Sequence, residues 1–105
     1  MGSILKVYDK ANSFMSSLEA HENNPQISLL KGELYDFVKL MQSCKSNGYL
    51  ESRFCSSEEQ ALNNLFNKID KQNIHDVITA DEFDTMTYST DTVLKRLKEV
   101  LKINN

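Results

Sequence analysis

Two cysteines, two histidines and two pairs of adjacent acids are the residues of this 105-residue chain with most scope for chemistry. Cys44 and Cys55 belong to no CxxC or other metal-ligand spacing, and two thiols make no disulfide framework. Cys44 falls on an apolar helix face, where a free thiol behaves as a small hydrophobe. His21 and His75 are far apart in sequence, and each sits in a turn-like stretch without a ligand-spaced neighbour. Gly2, Gly32 and Gly48 are isolated, so no glycine-rich phosphate loop exists, and no serine lies in a GxSxG elbow. The acid pairs Glu58-Glu59 and Asp81-Glu82 each follow a hydroxyl residue, a pattern that opens a helix. Catalysis needs converging groups, and these do not converge; the expectation is a non-enzymatic protein with no cofactor and no metal.

Charge narrows the partner. The net charge is −3, with 12 Lys and Arg against 15 Asp and Glu. An acidic chain argues against nucleic acid, which calls for a concentrated basic face. A local basic stripe, Lys95, Arg96, Lys98 and Lys102, fits the end of a helix, where cations complement the dipole. Only dimerisation that gathered this stripe would revive a nucleic-acid reading. No leader pattern opens the sequence, Lys6 spoils a myristoylation signal, and no apolar run approaches membrane-spanning length. A cytoplasmic location without membrane insertion is therefore expected.

The positioning elements follow from apolar spacing at about 100° per residue. Ile4, Val7, Tyr8, Ala11, Phe14, Met15 and Leu18 predict a helix over 3–22. Asn24-Pro25, a capping residue followed by proline, predicts a second helix over 25–44. Its apolar stripe runs through Ile27, Leu30, Leu34, Phe37, Val38, Met41 and Cys44, and Gly32 interrupts it. Residues 45–56 form the longest connection, with a turn at Asn47-Gly48 and with Tyr49, Leu50 and Phe54 expected against the core. Ser56-Ser57-Glu58-Glu59 predicts a capping box and a third helix over 57–72. Thr79-Ala80-Asp81-Glu82 predicts another, opening a fourth helix over 80–103. The hydroxyl-rich stretch Thr87–Thr92 is poor helix material, so a weak joint or a break is expected near Ser89. The sum is an all-α, up-down-up-down four-helix bundle forming one domain over 1–105.

The residues from Glu58 to Phe83 also resemble an EF-hand of the S100-like type. Asp70-Lys71 stands at the start of a loop, Ile78-Thr79 is β-prone, and Glu82-Phe83 opens the exiting helix. Lys31-Gly32-Glu33-Leu34 is similar to the exiting helix of a first hand. The resemblance implies paired hands and a groove for a target peptide. It departs at the ligands. Counting from Asp70 puts Gln72 third, Ile74 fifth, His75 in the glycine place and Asp81 twelfth, with Glu82 one residue late. Calcium binding is not expected from that set.

Function is then expected on the surface, as a module that inhibits, protects or adapts another protein. In size and architecture this is similar to bacteriocin immunity proteins and to many phage or viral effectors, an analogy at the level of fold alone. The candidate contact surface is a ridge of Leu29, Phe37, Leu40 and Cys44. Leu29 and Leu40 lie about 100° or more from the stripe centre at Leu34, giving the second helix more apolar surface than one core-facing stripe uses. If the ridge is exposed it meets a partner protein or a second copy of the chain; if a neighbouring helix or the 45–56 loop covers it, it is core.

Overall fold

In a computed structural model of the protein, which describes residues 2–103, the apolar stripes become four helices. These are α1 (Gly2–Ala20), α2 (Ile27–Ser46), α3 (Ser56–Ile69) and α4 (Ala80–Leu101). Each packs against the next and α4 closes on α1, so the helices form a four-membered ring with no diagonal contact among the described residues. This is the expected four-helix bundle. No helix among these residues is long and apolar enough to cross a membrane.

The core lies on the axis of the ring. Val7, Ala11, Phe14 and Leu18 of α1 meet Ile27, Leu30, Leu34, Phe37, Val38 and Met41 of α2. Met86, Val93 and Leu97 come from α4, while α3 supplies only Leu62 and Ile69 as buried residues. The Phe14 and Phe37 rings, with centroids 5.9 Å apart, anchor α1 to α2. Because α3 is the shallowest element, Ala61, Leu65 and Phe66 stay half-buried on its flanks.

Two helix starts and one helix interior differ from expectation in ways that have a physical cause. The second helix begins at Ile27, two residues beyond Pro25, with Gln26 extended at φ −74° and ψ 143°. Residues 25–27 instead reach across to the α3–α4 connection. The Ile27 amide donates to the Asp76 carbonyl at 2.9 Å, and the Ile78 amide to the Pro25 carbonyl at 2.7 Å. Gln26 and Val77 thus form an antiparallel bridge between two interhelical loops. These backbone groups find strand-like partners, so they have no need of an earlier helical turn. The third helix opens without the Ser56–Glu59 box. Cys55 precedes it in the left-handed region at φ 46°, and the Glu59 carboxylate pairs with Lys45 instead. The fourth helix runs unbroken through Ser89, contrary to the expected joint. Ser89 and Thr90 are buried, so packing outweighs their low helix preference.

Other details hold. Thr79 and Glu82 make the reciprocal capping box, with the Thr79 amide 3.0 Å from Glu82 Oε1 and the Glu82 amide 3.2 Å from Thr79 Oγ1. Gly48 takes φ 83° after α2, the left-handed ending expected of Asn47-Gly48. In the following connection Leu50 is buried and Phe54 half-buried, but Tyr49 is exposed, not tucked against the core.

Candidate functional site

Of the four residues in the expected ridge, two belong to the interior. Phe37 and Cys44 are buried on the core stripe of α2, and Leu40 is half-buried against the core. Leu29 alone is exposed. The ridge is therefore not continuous: at about 100° per residue, Phe37 and Cys44 lie nearer Leu34 than Leu40 does, and α1 covers that flank through Phe14.

What the structure brings together instead lies on the other flank of α2. Ser28, Lys31, Gly32, Tyr35 and Asp36 form one wall of a cleft of about 400 Å³, facing Phe66 of α3 and Ile74 of the α3–α4 loop. The Tyr35 and Phe66 rings sit with centroids 5.1 Å apart at 47°, and the Lys39 ammonium lies 5.5 Å from the Tyr35 centroid. Gly32 leaves space in its wall, since a Cβ added there would meet nothing within 4 Å. The Ser28 amide donates to the Ile74 carbonyl at 2.8 Å, and Lys31 holds Asp70 at 2.6 Å, so loop and helix are pinned together at the rim.

Two exposed large hydrophobics, Tyr35 and Ile74, line this cleft. Among the described residues the exposed large hydrophobics are Leu5, Leu29, Tyr35, Tyr49, Ile74, Val77, Tyr88 and Val100. Four of them, Leu29, Tyr35, Ile74 and Val77, belong to the first half of α2 or to the loop bridged to its start. Leu29 was legible in the sequence because it breaks the stripe of its own helix. Tyr35 and Ile74 were not, because their common surface depends on a loop–loop pairing between residues about fifty positions apart.

Among the residues with chemical scope, both thiols and Glu82 are shifted by their surroundings. Burial raises the Cys44 thiol above its ordinary value. Burial first, then the neighbouring Glu58 carboxylate, pushes Cys55 up to about 11. Thiols so placed stay protonated at neutral pH and are weak nucleophiles. Glu82 is buried, which on its own would raise its carboxyl. The Lys68 ammonium at 2.7 Å and the bonds to Thr79 outweigh that and bring it below the ordinary carboxylate value. In the basic stripe, Lys95 pairs with Asp91 at 3.0 Å and Arg96 with Glu99 at 3.4 Å. No group of three or more His, Cys, Asp or Glu is arranged to hold a metal ion among the described residues. Comparison with protein-family models, with curated proteins and with solved structures gives no match.

Proposed function

We propose that this is a non-enzymatic interaction module that seats an apolar or aromatic side chain of a partner protein in the α2–α3 cleft. By occupying that partner it inhibits, protects or adapts it. The observation that carries this reading is that the exposed Tyr35 and Ile74 line, with Phe66, a cleft whose wall opens at Gly32. Scattered single hydrophobics are ordinary on protein surfaces, whereas a contiguous patch beside a concavity marks an interaction site. A cleft of about 400 Å³ accepts one or two large side chains, and burying each contributes roughly 1.5–3 kcal/mol. The test is selection of a random peptide library on the intact protein. Peptides with a bulky apolar anchor should be recovered, their binding should fall at least tenfold, roughly the loss of one hot-spot contact, in Gly32→Leu, and it should persist in Leu40→Glu. Recovery of peptides without such an anchor, or equal binding to Gly32→Leu, would overturn the proposal.

A second reading, a degenerate EF-hand pair with a target groove, has one specific observation in its favour. The two interhelical loops are joined by an antiparallel bridge at Gln26 and Val77, the kind of pairing that two adjacent hands would make. Against a calcium role, the Glu82 carboxylate is already engaged by the Thr79 amide and the Lys68 ammonium, and Ile74 stands where an oxygen is wanted. Calorimetry with calcium decides it: a saturable heat with a dissociation constant below about 10 μM, within the sensor range, would favour the hand over the plain module.

A further inference from the structure

A second groove runs along the opposite side of the ring, between α1 and α4. Two confluent clefts of about 200 and 520 Å³ share Met15, Glu19, Asp84 and Thr87. The first extends to Glu22 and Phe83, the second to Tyr88 and Asp91, so the groove follows the antiparallel helices for roughly two turns. Its floor is apolar and adaptable: Met15 and Phe83 are half-buried, and Tyr88 is 71% exposed.

Its charge is of one sign. No Lys or Arg lines either cleft, and none occurs in residues 11–30 or 72–94, which include both walls of the groove. The groove itself is lined by Glu19, Glu22, Asp84 and Asp91, of which Asp91 alone is met by a lysine, Lys95 on the next turn. Every other seam of the ring is tied by a polar cross-link: Ser17 to Glu33 between α1 and α2, Lys45 to Glu59 between α2 and α3, Lys68 to Glu82 between α3 and α4. Between the second half of α1 and the first half of α4 no such link exists among the described residues; carboxylates stand on both banks. Like charges facing one another across an apolar floor disfavour the empty groove and favour a cationic, apolar occupant.

We infer that the α1–α4 groove docks a basic amphipathic helix of a partner protein, its apolar face on Met15, Phe83 and Tyr88 and its lysines or arginines between the two acidic banks. This surface is separate from the α2–α3 cleft, so either can fail while the other stands. The probe is a synthetic amphipathic helix of leucine and lysine, compared with the same peptide carrying glutamate for lysine. Titrated into the labelled full chain, the lysine peptide should shift amides of residues 15–22 and 83–91 and leave the α2–α3 cleft undisturbed. Its affinity should fall steeply as salt is raised, as expected of a contact steered by charge. The pair Glu19→Gln and Asp84→Asn should weaken it at least about tenfold, while the same charge change at Asp9 and Glu51 should alter it less than about twofold. The groove variants should melt no lower than the parent, because they relieve repulsion instead of removing packing. Equal binding of the glutamate peptide, equal loss in both sets of variants, or shifts centred on Tyr35 and Phe66 would overturn the inference. So would sedimentation showing that the parent protein forms a dimer abolished by Lys95→Glu, which would make a second copy the occupant.

Discussion

Glu82 is the clearest case of a side chain whose environment decides its role. The sequence marks it equally as a helix-capping acid and as a late EF-hand ligand; the structure gives both its oxygens to protein donors, Thr79 and Lys68. Its carboxyl is lowered, so the stability it contributes is present above the unfolded value near 4.5 and is lost as pH falls through the lower folded value. Denaturant unfolding at neutral pH should show Glu82→Gln less stable by about 1–3 kcal/mol, the cost of weakening a buried, charge-assisted contact. The gap to the parent should begin to narrow as pH falls below the unfolded value near 4.5 and close once pH is below the folded value, where both proteins are uncharged at this position. A gap independent of pH would mean that the ion pair contributes nothing. Thr90 presents the opposite situation. It is fully buried and its hydroxyl finds no partner, so Thr90→Val should stabilise the protein by about 1 kcal/mol, read as a higher denaturation midpoint at unchanged slope.

At the scale of elements, apolar periodicity located all four helices, because each buries one face and polar residues fill the other. What it misplaced were ends set by distant partners. Nothing near Pro25 reveals that its carbonyl will meet the Ile78 amide, so a locally good helix start gave way to an extended bridge. Ser56 was likewise a good capping residue by type, but the left-handed turn at Cys55 and the Lys45–Glu59 pair shift the helix entry. The α2 surface shows the same limit. Excess apolar circumference was legible at Leu29, but the useful concavity needed Phe66 and Ile74 from elsewhere in the chain. Gly32 tests whether that concavity matters. It sits inside a helix with open space beside it, so Gly32→Ala should raise stability by up to about 1 kcal/mol in thermal unfolding. A destabilised Gly32→Ala would mean that the α2–α3 cleft is narrower than described. A stabilised variant leaves room for a partner as the physical reason for a residue that costs the helix stability.

The whole molecule is a ring of four helices with one shared core, two unlike grooves on opposite seams, and no described cluster suited to metal binding. The α2–α3 side is apolar and pinned by the bridged loops; the α1–α4 side is acidic. We propose that a partner protein sits over Tyr35 and Ile74. Photo-crosslinking in the native cell measures this most directly, with a benzoylphenylalanine placed in turn at Tyr35, at Ile74 and at the exposed Asp9 of α1, a helix that does not touch α3. One discrete adduct should be shared by positions 35 and 74, absent at 9, and lost when Gly32→Leu is added. Adducts of equal yield at all three positions, or none at 35 and 74, would contradict it.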